Sequence, residues 1–288
     1  MLPDEYCRNL AAPPGSDFHY SLLGLPLTRQ RALIAVQAFY LEASRITEEC
    51  HDPGVARTKH DWWRTELDRL FASHPQHPVT VALQPHLSAF NLQKVLFQDM
   101  LDGVVMDQDY TIYPSLAELT LYIHRNGSTP TLLMTEILGY NDTHATPRFA
   151  HEAGAALLLF DLLYNTRRHI HGGRCYFPED DMQRFNVHPD DLLAAQTTES
   201  IRQLFAFQAK RIGEYYQRAL DYLPPSDRYA QYSLLIRLDL AMTLLAELAE
   251  EGYRLLEQQT RLTPLRKLWL AWCLKRREQQ RYRHLAKA

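Results

Sequence analysis

The sequence predicts an all-α protein, a bundle of helices, on three observations. The long stretches between prolines are rich in Leu, Ala, Gln, Glu and Arg, all strong helix formers, and only 11 of the 288 residues are glycine. Apolar residues recur at helical spacing through most of the chain. Only Arg174-Cys175-Tyr176-Phe177 has a strand's composition, and four residues are too few to nucleate a sheet.

The first stripe is Ala32, Val36, Phe39, Tyr40, Ala43 and Ile46, and Asp52-Pro53-Gly54 follows it as a breaker. The polar loop His74-Pro75-Gln76-His77-Pro78 precedes a second stripe over 87–107. The next, 115–138, contains Gly127 and Pro130, which break or kink a helix. Asn141-Asp142 separates it from 147–166, and Gly172-Gly173 with Pro178 closes that element. Stripes over 192–221 and 228–259 are divided by Pro224-Pro225, and 264–285 forms a final helix. Six to eight long helices result. No internal repeat, low-complexity tract or shift in composition divides the chain, so 1–288 reads as a single domain. Bundles of this length can enclose a pocket lined from several helices.

Hydrophobic residues make up 46% and charged residues 23%, enough apolar side chain for a sizeable core. The net charge of −3 is unevenly spread: residues 261–288 carry nine Lys/Arg and one Asp/Glu, about +8 against −11 upstream. Such a basic end suits anionic lipid headgroups or an acidic partner surface, and equally a solvated helix face. Nucleic acid is not expected, because the acidic body repels phosphate and no binding motif is present. Cys7, Cys50, Cys175 and Cys273 have no C-x-x-C spacing, which argues against a disulfide framework or zinc site and for a reducing compartment. The N-terminus has no basic-then-apolar leader, and no run of eighteen apolar residues occurs. The expectation is a cytoplasmic protein, with peripheral contact at the inner membrane face as its one membrane association.

Several strings in order resemble a known family. Tyr20-Ser21, Leu25-Pro26, Arg29, Arg31-Ala32 and Ala38-Phe39 are followed by Trp62-Trp63-Arg64-Thr65-Glu66-Leu67 and His77-Pro78-Val79. Asp102-Gly103, Met106-Asp107, Tyr122 and Gly139-Tyr140 continue the series. Gly173-Arg174-Cys175-Tyr176-Phe177-Pro178, then Tyr215-Tyr216, Leu223-Pro224 and Arg266-Lys267-Leu268-Trp269, complete it. The chain thus resembles the squalene/phytoene synthase family over nearly its whole length, particularly the bacterial presqualene-diphosphate synthase branch. The resemblance implies an isoprenoid-synthase-type bundle around a central cavity. It also implies two acidic helices at the mouth that hold Mg²⁺ against a prenyl diphosphate, because Mg²⁺ demands oxygen ligands and carboxylates supply both oxygen and charge.

Both acidic motifs are degenerate. Where the family reads D-D-x-x-D-E, this chain has Ser44, Arg45, Ile46, Thr47, Glu48 and Glu49. Where it reads N-x-x-R-D-x-x-E-D, this chain runs from Asp161 through Asn165, Arg167 and Arg168 to His169. A guanidinium about 5 Å from a Mg²⁺ position would repel the ion by roughly 6–7 kcal/mol at an effective dielectric near 20. Glu48, Glu49, Asp102, Asp107 and Asp161 remain as oxygen donors. The small-residue helix break that lines the family's substrate channel is replaced by Asn126-Gly127-Ser128-Thr129-Pro130-Thr131, which changes the polarity of that wall.

Arg45, Arg167, Arg168 and Arg174 could form a metal-free anion site, since guanidinium pairs bidentately with phosphate; their alternative is surface ion pairing. Tyr122 matches a family tyrosine at the reacting centre, and a tyrosine there is also a common core or rim residue. His169 and His171 lie two apart with no third ligand in view. The C-terminal helix sets Leu265, Leu268, Trp269, Trp272 and Leu274 beside Arg266, Lys267, Lys275, Arg276 and Arg277, which suits a membrane interface or packing on the bundle. The expected function is a pseudoenzyme without metal or other cofactor, binding an isoprenoid-like lipid or a protein partner such as an active paralogue or a membrane complex. Its ligand contacts are Arg45, Arg168, Arg174 and Tyr122. The alternative is an active head-to-head prenyltransferase using Mg²⁺ and farnesyl or geranylgeranyl diphosphate, with Tyr122, Asp102 and Asp107 retained beside Glu48.

Overall fold

The computed structural model describes residues 1–49, 52–194 and 196–285, the side chains of 47–49 and 53 excepted. Its helices are α1 (Pro3–Ala11), α2 (Asp17–Ser21), α3 (Leu27–Glu49), α4 (Pro53–Phe71), α5 (Pro78–Ala89), α6 (Lys94–Asp109), α7 (Leu116–Ile123), α8 (Thr129–Leu138), α9 (Ala145–Tyr164), α10 (Thr166–His171), α11 (Glu179–Arg184), α12 (Glu199–Tyr222), α13 (Tyr232–Glu250) and α14 (Pro264–Leu285). No strand forms among the described residues. The segment 174–177 makes one isolated bridge, Ile112 to Cys175, as its length predicted.

Local chemistry sets the boundaries. Asp52 Oδ1 accepts from the Val55 amide at 2.9 Å and starts α4, and Thr198 caps α12 through the Ile201 amide. The stripe over 87–107 divides at Asn91, whose φ of +50° ends the helical run. The stripe over 147–166 divides at Asn165, between α9 and α10. Helix α13 stops before Gly252, at φ +72°, rather than reaching 259.

Two buried carboxylates tie loops to the bundle. Glu66 accepts from the Gln76 amide at 2.6 Å, the His77 amide at 2.8 Å and the Thr80 hydroxyl at 2.5 Å, closing the turn between α4 and α5. Asp227 accepts from both nitrogens of Asn141, from the Asp142 amide and from the Thr146 hydroxyl, which locks the loop before α13 onto the one before α9.

Helices α7 and α8 are joined by a π-helical turn, His124–Ser128. Pro130 has no amide hydrogen to give to residue 126, and a wider turn there accommodates the missing bond. The same turn brings Gly127 against Gly154 of α9, so closely that a Cβ on either would meet the other's backbone at 2.6 Å or less. Gly103, Gly127, Leu158 and Phe160 are buried where α6, the π turn and α9 meet.

Candidate functional site

A cavity of about 540 Å³ opens between α3, α6, the α7–α8 hinge, α9, α10 and α13. Its lining brings together most of the residues that the sequence proposed: Ser44, Arg45, Asp107, Tyr122, Asn165, Arg168, His169 and Arg174.

On α3, the Ser44 hydroxyl donates to its own helix at Tyr40 O (2.9 Å), so its proton is already committed. Arg45 is exposed at the mouth and lies 3.3 Å from Glu42, which also accepts from the Tyr6 hydroxyl at 2.5 Å. That bond, with burial behind it, pushes the Tyr6 hydroxyl up to about 12. Glu48 and Glu49 lie on the same helix with side chains outside the described residues.

Asp107 organises the opposite wall. It accepts from the Tyr176 hydroxyl at 2.8 Å and the Tyr122 hydroxyl at 3.3 Å, while Arg174 Nε donates to its backbone oxygen at 3.2 Å. The Tyr122 and Tyr176 rings lie 5.2 Å apart. Burial first and the Asp107 charge second hold both phenols well above their ordinary range, so both keep their protons. His169 meets the Tyr176 ring edge-on at 4.9 Å, with Nε2 buried and unpartnered. Burial, reinforced by Arg168 and Arg174, pushes this imidazole down to about 4, so it is neutral near pH 7. Asn165 donates to Asp161 Oδ1 at 2.8 Å.

Three sequence-proposed residues stand elsewhere. Asp102 is on the outer side of α6, accepts from Arg64 at 2.9 Å and lines a separate hollow with Asp68 and Asp99. Five residues from Asp107 is 500° of helix, or about 140° around the axis, so the two carboxylates cannot share one face. Arg167 is exposed and lies outside the cavity lining. His171 is also exposed, about 200° around α10 from His169, so the two do not converge. On α14, Leu274 packs inward, but Leu265, Trp269 and Trp272 are 79%, 61% and 54% exposed. The aromatic part of that stripe therefore faces out rather than covering the bundle.

Sequence reasoning passed over Asp17 and Arg237, and named Tyr176 only within a family string; both of the former and Tyr176 line the cavity, as does Asn126 of the segment that replaces the family's helix break. Arg237 did carry a signal: it is a lone cation inside the apolar run Leu234-Leu235-Ile236-Arg237-Leu238.

The described side chains of the lining offer hydroxyl, amide, guanidinium, neutral imidazole and the separate carboxylates of Asp107 and Asp161, and among the described residues no three His, Cys, Asp or Glu stand together as metal ligands. Asp107 is engaged by two phenols and Asp161 by Asn165. The described donor set alone does not supply the several charged oxygens that a hard dication needs, and the Glu48 and Glu49 side chains of the same mouth helix lie outside it. Across the whole lining, four arginines face three aspartates.

The model of the squalene/phytoene synthase family matches residues 11–268. The 15-cis-phytoene synthase of Synechocystis sp. is 28% identical over 285 residues, covering 93% of this chain and 84% of that protein. The phytoene synthase of Mycobacterium tuberculosis is 30% identical over 223 residues, covering 74% and 70%. Among solved structures, a ligand-bound dehydrosqualene synthase superposes with a TM-score of 0.84 at 19% identity, covering 96% of this chain and 97% of that one. The squalene synthase HpnC of Alicyclobacillus acidocaldarius gives 0.74 at 24% identity, covering 87% and 94%.

Proposed function

The chain belongs to the squalene/phytoene synthase family, and we propose that it binds an anionic-headed, isoprenoid-like lipid in its central cavity without ionising a prenyl diphosphate through Mg²⁺. One observation carries this reading: the two helical segments at the mouth present Ser44, Arg45, Asn165, Arg168 and His169 to the cavity. Guanidinium groups bind phosphate through charge-assisted hydrogen bonds and need no bridging ion. They do not match a metal's Lewis acidity toward a departing diphosphate. In this reading the protein serves an accessory role beside an active paralogue or a membrane complex. The exposed Leu265, Trp269 and Trp272, flanked by Arg266 and Arg276, would rest on an anionic bilayer surface.

The test is incubation of the pure full-length chain with farnesyl diphosphate and Mg²⁺, together with titration of the same ligand in EDTA. Binding that EDTA leaves unchanged, with no diphosphate released above background, is the expected result. Release at rates near 1 s⁻¹ or above, typical of enzymes, would sink the proposal.

A second reading, a working head-to-head prenyltransferase, draws on a specific feature. Tyr122, Tyr176 and Asp107 still form a hydrogen-bonded group in the cavity wall, and relatives named phytoene synthase span most of the chain. It predicts Mg²⁺-dependent release of diphosphate and a coupled C30 or C40 product in the same assay. Only under that reading would a metal be required.

A further inference from the structure

Helix α3 and the run from α7 through the π turn to α8 line the cavity side by side and in opposite directions. Tyr40 stands by Tyr122, close enough to act on its hydroxyl, and at the far end a Cβ on Gly139 would lie 3.5 Å from the Arg29 guanidinium. Going inward from the two tyrosines, α3 presents Gln37 to the cavity and the π turn presents Asn126. The antiparallel course puts both at one depth, about one helical turn inside the Tyr40–Tyr122 pair. Gln37 is seven residues from Ser44, about 10 Å along α3 and within about 20° of the same face, so it lies well inside the mouth.

Both amides have hydrogen-bonding capacity to spare. Asn126 is 4% exposed; its Nδ2 donates to Tyr122 O at 3.3 Å and sits against α6, where a Cβ on Gly103 would meet it at 2.8 Å. That contact holds the amide nitrogen toward the protein and leaves Oδ1 without a partner among the described residues. Gln37, partly buried, makes no hydrogen bond among them. Neither free group is sealed in protein, so both open on the cavity. Their surroundings do not call for a charged ligand group. Arg237 lies in the field of Asp17 and Asp161, which line the same space, and Thr131 donates its hydroxyl hydrogen to Gly127 O at 2.9 Å.

A hydrocarbon chain laid along α3 from the mouth would cover these amides and strip them of water with nothing in return, a cost that a ligand oxygen would remove. We propose that Gln37 and Asn126 form a neutral hydrogen-bonding site in the inner part of the cavity, and that the isoprenoid taken there carries a hydroxyl group on its chain. The hydroxyl donates to Asn126 Oδ1 and accepts from the Gln37 amide, which uses both of its capacities. This rests on the lipid-binding reading above and narrows it: the mouth selects the charged head, and the two amides select an oxygenated chain over a hydrocarbon one.

The experiment titrates the full chain calorimetrically in EDTA with farnesyl diphosphate and with farnesyl diphosphates hydroxylated at C8 or at C12. A hydrogen bond made where an apolar chain would leave two groups unpaired is worth roughly tenfold in affinity, so wild type should prefer one hydroxylated ligand by about fivefold or more. Gln37→Leu and Asn126→Ala should each bring that preference below about twofold and leave farnesyl diphosphate bound as tightly as before or more tightly. A weaker preference in wild type would overturn the proposal, since the amides would then hold water only. So would a preference that survives both substitutions, or variants that weaken all three ligands alike, because the two side chains would then be packing residues. If wild type binds farnesyl diphosphate without distinguishing the three, the hydroxyl site fails and the lipid-binding reading stands. If it binds none of them, both fail.

Discussion

The contact of Gly127 with Gly154 offers the sharpest test of how this bundle closes around its cavity. A Cβ built on Gly154 would lie 2.6 Å from the Gly127 carbonyl carbon and 2.6 Å from Ser128 Cα, and closer still to the Gly127 oxygen. All three are backbone atoms, so no flexible side chain can yield, and α9 must part from the π turn by about 1 Å. Overpacking of this kind costs roughly 1–3 kcal/mol, and a rigid backbone neighbour places the cost at about 3. Replacing glycine by alanine within a helix returns about 1 kcal/mol, so Gly154→Ala should lose about 2 kcal/mol net. Gly213 supplies the control: it lies inside α12 with nothing within 4 Å of its would-be Cβ. There the same substitution should gain about 1 kcal/mol, chiefly from backbone entropy. For a chain of this size each kcal/mol moves Tm by roughly 2 °C, which predicts about −4 °C for Gly154→Ala and about +2 °C for Gly213→Ala. Differential scanning calorimetry on the two variants reads the signs directly. A Gly154→Ala protein as stable as Gly213→Ala would refute the close approach. Both cavity-lining glycines would then be conformational accidents.

His169 is held neutral by its surroundings, so its contribution to stability is complete above pH 6.5 and is lost as pH falls from 6.5 toward 4, by up to about 3 kcal/mol. Denaturant midpoints of wild type and His169→Phe between pH 4 and 7 should diverge in that window, and parallel curves would contradict it. At Asp227 burial favours the protonated acid, but hydrogen bonds from Asp142, Thr146 and Asn141 outweigh it and hold the carboxyl below its usual range. Asp227→Asn turns an acceptor into a donor facing donors and should lose about 2–4 kcal/mol above pH 5; urea unfolding of the variant at pH 7 checks this, and a loss under 1 kcal/mol would show that the loops are closed by other means. Replacing Trp269 and Trp272 together by Ser should leave stability within about 0.5 kcal/mol, because both side chains are exposed, yet abolish cosedimentation with phosphatidylglycerol vesicles. Unchanged vesicle binding would remove α14 as the docking face.

Much of the fold was legible because helical periodicity is a repeated signal. Each long stripe, from Ala32–Ile46 to the helix at 264–285, contains a helix, though those over 87–107, 115–138 and 147–166 are divided, and prolines or glycines stand at most ends. The breaks at Asn91 and Asn165 were not legible, since a single residue in a left-handed or irregular conformation leaves no mark on an apolar stripe. Site residues on the two motif helices were found because family spacing places them. Asp102 was misplaced for a geometric reason: proximity in sequence to Asp107 says nothing about azimuth around α6. Arg237 was overlooked because the stripe containing it was scored for its apolar members, although a charge inside such a run is the more informative residue.

Under the proposed reading, the carboxylates absent from the two motif segments and the arginines present there are one change rather than two. A metal-dependent diphosphate site needs negative side chains only to hold positive ions, so its net field toward the ligand is positive. If the ions go, the carboxylates that held them become repulsive to phosphate, so fixed cations are needed to offset those that remain, Glu48 and Glu49 among them. Ser44 and Asn165 remove charge, and Arg45 and Arg168 add the opposite sign, each on a helix segment that lines the mouth. Under the proposed reading such a replacement conserves attraction for the bound anion but not the Lewis acidity that assists a departing diphosphate, so it separates holding the ligand from breaking it. It follows that restoring one carboxylate, as in Asn165→Asp, should weaken binding of farnesyl diphosphate in EDTA without conferring turnover. A single restored aspartate that yielded Mg²⁺-dependent release would show that the two properties had not been separated.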